Sequence, residues 1–165
     1  MPRSFVNHNE GRSKAGSMDL EKAYDKIYRY AYFRVKNTAV AEDITQETFL
    51  RFFAKSGTFH ENDMKYLYTI ARNLCIDEYR RVKPEELPEE GSEAKTATDF
   101  PEESIIVREA LERLTDEDRE ILLLRYVNDE PVGTICRALG ISRFALYRKI
   151  KNAEEELKKN LKEDE

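Results

Sequence analysis

From Met18 onward, apolar residues recur three and four positions apart over most of the chain, the period of a helix that buries one face. Leu20, Tyr24, Ile27 and Ala31 form the first such face and predict a helix to about Lys36. Asn37 or Thr38 then caps a second helix, with Val40, Ile44, Thr48 and Phe52 on one side, to about Lys55. The polar stretch 56–63, SGTFHEND, breaks the pattern and reads as a loop. A third helix from about Met64 to Val82 turns Leu67, Ile70, Ala71, Leu74 and Cys75 inward. These three helices predict one small domain over residues 18–83.

A second helical domain is predicted over residues 105–165. Val107, Leu111 and Leu114 mark its first helix. Thr115-Asp116-Glu117-Asp118 has the Ser/Thr-x-x-acid form of a capped helix start, and the helix it opens carries Ile121, Leu122, Leu123, Leu124 and Tyr126. Asn128-Asp129 turns the chain. Pro131 to Lys151 then reads as two short helices joined at Leu139-Gly140-Ile141-Ser142. Pro131 suits the first helical position, where a missing N–H costs nothing. Gly140 can take the left-handed conformation that ends a helix, and Ser142 is a good N-cap for the next. Val132, Ile135, Leu139, Ile141, Leu146 and Ile150 would lock the pair together. The last helix runs past Leu157 into a charged tail. No segment alternates as a strand, so the fold class is all-α: two small helical domains, the second containing a helix-turn-helix.

Residues 84–104 carry Pro84, Pro88, Gly91 and Pro101 among many acids, too polar to bury a core, and read as a flexible acidic linker. Residues 1–17 are polar and aperiodic and read as a disordered N-terminal extension or tag, with Met18 an alternative start.

Charge changes the picture more than size does. The net charge of −5 over 165 residues argues against a nucleic-acid partner. Yet residues 83–104 hold eight acids and two bases, a net −6, which leaves +1 for the rest. Between Arg137 and Lys151 there are five bases and no acid. A helix-turn-helix with an exposed basic second helix fits a DNA major groove, although the same segment also fits an ordinary αα-hairpin. Cys75 and Cys136 have no Cys or His at ligand spacing, which points away from metal sites and disulfides and towards a reducing cytoplasm. His8 and His60 have no nucleophile or metal partner nearby in sequence, so no catalytic residue, metal, cofactor or small-molecule substrate is expected. No apolar run approaches the ~18 residues of a membrane span.

Three stretches carry a family resemblance. Ala41 to Arg51, AEDITQETFLR, resembles the core-binding signature AEDLVQETFLR of the sigma-70 family of bacterial transcription initiation factors, in its extracytoplasmic-function group. Tyr66 to Arg81, YLYTIARNLCIDEYRR, resembles that group's WLYRIARNLAIDELRR, and Leu114 to Tyr126 resembles LPEREREVLLLRY. The resemblance implies a non-enzymatic, cytoplasmic specificity subunit of RNA polymerase, with residues 18–83 similar to sigma region 2 and residues 105–165 similar to region 4.

Asp43, Gln46 and Glu47 fall at i, i+3 and i+4 and share a helix face. The resemblance implies that this face binds the clamp coiled coil of the polymerase β′ subunit; taken alone, it also fits a solvated face. The third helix is basic and aromatic: cations can hold phosphates, and aromatics and amides can hold unstacked bases. The resemblance implies that Lys65, Tyr66, Arg72, Asn73, Asp77, Arg80 and Arg81 melt and recognise the −10 promoter element, with 56–63 the pocket loop. Phe59 is there a candidate pocket wall or a cover for the core. Tyr66 stands where the family usually has Trp, and Tyr68 and Tyr79 add to the aromatic character.

In the second domain, Arg143, Phe144, Tyr147, Arg148, Lys149 and Lys151 are the candidates for −35 DNA. Arg suits guanine, and Lys151 suits phosphate. Phe144 to Lys149 departs from the family's Gly-Thr-Val-Lys-Ser-Arg at this turn. The resemblance further implies docking of part of this domain on the β flap, an acidic linker threading the polymerase cleft, and an anti-sigma partner, commonly membrane-anchored. The competing readings are a stand-alone helix-turn-helix regulator and an all-helical interaction adaptor without DNA binding.

Overall fold

The computed structural model describes residues 19–81 and 102–163. The extension at 1–17 and most of the acidic segment 84–104 lie outside the described residues. The chain divides into two compact units, one ending at Arg81 and the other beginning at Val82. All described elements are helical.

The first unit packs α1 (Leu20–Val35), α2 (Thr38–Ser56) and α3 (Met64–Arg81) against one another in every pair. Each junction is set by local chemistry. Asp19 accepts from the Glu21 N–H at 3.2 Å to open α1. Lys36 closes it in a left-handed conformation, φ 54°, donating its N–H to Tyr32 O at 2.7 Å. Asn37, not Thr38, caps α2, accepting from the Val40 N–H at 3.0 Å. Gly57 ends α2 at φ 74°, and a 3₁₀ turn, Glu61–Asp63, leads into α3.

The core of this unit is Ala23, Ile27, Tyr30 and Ala31 from α1, Ala41, Ile44, Phe49 and Phe52 from α2, and Met64, Leu67, Tyr68, Ala71 and Cys75 from α3. Thr45 and Thr48 are buried as well. Their hydroxyls donate to Ala41 O at 2.6 Å and Ile44 O at 2.7 Å, so neither leaves an unmet polar group in the core. Tyr68, which the composition of α3 groups with the base-stacking aromatics, is a core residue. It lies in register with Met64, Ala71 and Cys75 and meets Tyr30 edge-on, ring centroids 5.5 Å apart.

The second unit is built from α4 (Glu102–Glu112), α5 (Asp116–Leu122), a wide π turn (Leu123–Val127), α6 (Val132–Leu139) and α7 (Arg143–Glu163). Helix α4 begins at Glu102, inside the stretch whose composition reads as linker. Its sealed face is Ala110, with Leu111 half-buried and Leu114 closing the turn; Val107, expected inward, is largely exposed. A polar tie joins α4 to α7, the buried Asn160 side chain donating to Ala110 O at 3.0 Å.

Ile121, Leu122, Leu123 and Leu124 are all buried. Four consecutive residues spread over most of a helix circumference, so this segment is covered on nearly every side. The π turn keeps Leu123 and Leu124 inside while Tyr126 faces out.

Arg119 clamps the turn between α4 and α5. Its guanidinium donates to Leu111 O, Glu112 O and Leu114 O, each at 3.0 Å, and pairs with Asp116 at 3.0 Å. Leu111 and Glu112 belong to the last turn of α4, where a cation is favourable, and Leu111 O also accepts from the Leu114 N–H at 3.1 Å. Arg119→Met keeps the aliphatic stem but removes the guanidinium's hydrogen bonds to those carbonyls. It should cost the second unit about 2 kcal/mol, the scale of hydrogen bonds to a charged group. Urea unfolding followed by circular dichroism measures this.

Candidate functional site

The helix-turn-helix closes as its turn residues dictate. Gly140 adopts φ 69°, ψ 36°, the left-handed region where a side chain is penalised. It and Ile141 both donate to Cys136 O, at 2.8 and 3.1 Å, ending α6. Ser142 then caps α7, accepting from the Ala145 N–H at 3.1 Å. Pro131 sits one position earlier than expected. Its ψ of 151° makes it the N-cap of α6, with Val132 the first helical residue. Leu146, Ile150 and Ala153 bury the inner face of α7.

The outer face follows from that register. Phe144, Tyr147, Arg148 and Lys151 stand at i, i+3, i+4 and i+7, and all four are exposed. Arg143 is also exposed but leans towards α6, its guanidinium 3.3 Å from where a Cβ on Gly133 would lie. Lys149 lies on the flank, its ammonium 2.7 Å from a Glu117 carboxylate oxygen. Tyr126 donates to the Glu154 carboxylate further along α7; that hydrogen bond, with lesser contributions from burial and the carboxylate charge, raises the tyrosine pKa above its ordinary value.

On α2, Asp43 and Gln46 are exposed and Glu47 is half-exposed, on the face away from the core. Glu47 pairs with Arg51 at 2.7 Å, one turn on. The same stripe continues to Leu50, which is 67% exposed. Sequence reasoning missed Leu50 because an apolar residue counts by default towards the core. Its signal was the spacing of seven from Asp43. Helix α1 borders this face. Tyr24 stacks on Phe49, centroids 5.4 Å apart, and its hydroxyl hydrogen-bonds the Gln46 side chain. Burial pushes the Tyr24 pKa up, and the nearby Glu42 charge adds to this, while the Gln46 hydrogen bond works against it.

On α3, Tyr66, Thr69, Asn73, Asp77 and Arg80 form one exposed stripe. Lys65 Nζ lies over the Tyr66 ring, 4.9 Å from its centroid, a cation–π contact that gathers charge and aromatic surface at the helix start. Arg72 is half-buried beside the stripe, and Arg81 is held by Glu78 at 2.7 Å. The loop before α3 is ordered by its own hydrogen bonds: the His60 N–H donates to Asp63 Oδ2 at 2.8 Å, and the Asp63 N–H to His60 O at 2.9 Å. Phe59 is half-buried there, edge-on to Phe52 with centroids 6.1 Å apart. Among the described residues no group of three or more His, Cys, Asp or Glu is gathered to hold a metal ion, and no helix is long and apolar enough to cross a membrane.

Fold and surface together define a helix-turn-helix protein with a second, three-helix unit that carries an acidic stripe on one helix and a basic, aromatic stripe on another. Comparison with known proteins narrows the class. Residues 20–84 match the family Sigma-70 region 2, and residues 104–157 match Sigma-70, region 4. The chain is 32% identical over 152 residues to the ECF RNA polymerase sigma factor BldN of Streptomyces coelicolor, covering 82% of this chain and 58% of that one. It is 30% identical over 150 residues to the RNA polymerase sigma factor YlaC of Bacillus subtilis, covering 84% and 87%. The sigma factor RpoE of Bartonella quintana, solved in complex with the anti-sigma factor NepR, shares the fold with a TM-score of 0.64 at 19% identity, over 88% of this chain and 96% of that one. The chain belongs to the sigma-70 family of RNA polymerase sigma factors, in its extracytoplasmic-function group.

Proposed function

We propose that this sigma factor directs core RNA polymerase to its promoters through three surfaces, and that polymerase supplies all the catalysis. Asp43, Gln46 and Glu47 dock on the β′ clamp coiled coil, with Leu50 as an apolar contact at the end of the stripe. A rigid helix presenting two carboxylates, an amide and one exposed leucine suits a basic, partly apolar partner helix. Lys65, Tyr66, Asn73, Asp77 and Arg80 engage the melted −10 element, with Arg72, Arg81 and Phe59 at its margins. Arg143, Phe144, Tyr147, Arg148 and Lys151 meet the −35 element, and Lys149 supports α7 from the flank through Glu117.

The observation that carries this reading is the presence of all three exposed surfaces on a chain of this family. A stand-alone regulator would leave the acidic stripe on α2 without a purpose. The action is cytoplasmic, where polymerase and promoter are. An anti-sigma factor is the proposed regulator, as in the NepR complex of the similar RpoE protein.

Arg148 stands one turn into the exposed face of α7, within reach of a base edge. Arg148→Ala should weaken holoenzyme binding to the cognate promoter by about 1–3 kcal/mol while barely changing binding to random DNA. An equal loss on both would make Arg148 a phosphate contact. Competition binding at fixed salt distinguishes the two.

A further inference from the structure

The recognition helix carries a feature that charge alone does not account for. Phe144 is 82% exposed, and Tyr147, one turn on, is 56% exposed. Both are aromatic, and both lie on the outer face rather than against Leu146 and Ile150. Neither ring is needed by the core. A single exposed apolar residue is ordinary, but here two exposed aromatic rings stand one turn apart on the face that also carries Arg148 and Lys151.

Position limits what the ring can do. Phe144 is the second residue of α7, directly after the Ser142 cap and Arg143. In a helix-turn-helix the N-terminal residues of the second helix come closest to base edges, and residues further along meet the backbone. The outer face runs Phe144, Tyr147 with Arg148, then Lys151. The apolar residue therefore comes first on the face, where bases are met, and the ammonium last, where phosphates are. Phe has no donor or acceptor and cannot read any hydrogen-bonding edge. The one apolar group that the major groove offers is the C5-methyl of thymine.

Resting on the −35 reading above, we infer that Phe144 is a specificity residue that selects thymine in the −35 element by packing on its C5-methyl. Arg148, one turn on along the same face, supplies a polar contact to a neighbouring position. This also accounts for the departure from the family pattern at Phe144: a glycine there cannot contact a methyl group.

The test removes the methyl and nothing else. A promoter is first selected from a library by holoenzyme containing the full chain. Each −35 thymine is then replaced singly by deoxyuridine, which keeps every hydrogen-bonding group, and holoenzyme binding is measured by competition. One replacement should weaken the wild type about fourfold, the worth of one buried methyl group. The same replacement should leave Phe144→Ala holoenzyme unchanged, and Phe144→Leu should keep part of the discrimination. Phe144 is exposed, so neither variant threatens the fold. A selected −35 element without thymine, or a wild type indifferent to every deoxyuridine, overturns the inference while the −35 reading stands. Discrimination that persists in Phe144→Ala also overturns it. A holoenzyme that selects no promoter at all removes the underlying reading instead.

Discussion

Replacing Asp43 and Glu47 together by lysine lowers the affinity for core RNA polymerase on the order of 100-fold or more and leaves the first unit folded, because like charges facing one another across an interface cost several kcal/mol. Structural damage cannot account for a loss of that size. Asp43 is exposed, and Glu47 is half-exposed on the same outer stripe. The reversal loses the Glu47–Arg51 pair, an i,i+4 contact with half-exposed side chains. Such pairs are worth about 0.3–0.5 kcal/mol, far below the expected binding loss. Unfolding curves of the double variant should therefore nearly overlay the wild type. Core binding that survives the reversal would place the polymerase contact elsewhere. Leu50→Ala gives an independent reading of the same surface, since it removes apolar area without touching charge.

Leu146→Ala should produce the opposite pattern: damage to the second unit that spares the first. Leu146 is completely buried at the start of α7 and ties the helix-turn-helix together. Leucine-to-alanine changes at such sites cost about 2–5 kcal/mol, part of it from the cavity left behind. A unit of this size has only about 3–9 kcal/mol in total at typical stability per residue. Much of the second unit should then be unfolded at growth temperature, and recognition of −35 DNA should fall with it. Core binding through α2 should persist, because the first unit has its own core. Two separate unfolding transitions, with only one displaced, would report this. Arg148→Ala is the control: it should lose promoter discrimination with no shift in either transition.

Much of this was legible in the residues because the decisive chemistry is local. Asn37, Gly140 and Ser142 act within four residues of themselves, so their capping roles follow from neighbours in the chain. The apolar periods of α1, α2 and α3 placed most of the first core. Register and partners distant in the chain were harder to read. Tyr68 was grouped by composition with aromatics that stack on bases, yet its register with Met64 and Ala71 puts it against Tyr30 on another helix. Lys149 belongs by sequence to a basic run, yet Glu117, far back in the chain, holds its ammonium. Arg119 gave no sign that it would reach the end of α4, because Leu111 and Glu112 lie eight and seven residues earlier in the chain. Pro131 moved from first helical residue to cap, since its ring fixes φ but leaves ψ free. Leu50 escaped because hydrophobicity does not distinguish an interface from a core.

The −35 surface was readable as a face and less so as a code. Phe144, Tyr147, Arg148 and Lys151 follow from the helical period once Leu146 and Ile150 are known to be inside. Which of them meets a base depends on the distance along the helix from the capped turn, and that order runs from ring to guanidinium to ammonium.

Run-off transcription with purified core polymerase on a promoter library tests the central claim most directly. The wild-type chain should give discrete transcripts whose start sites share one −35 and one −10 element at fixed spacing, and the Asp43→Lys, Glu47→Lys variant should give none. Core polymerase that initiates no better with the wild-type chain than without it, on any promoter of the library, would contradict the account.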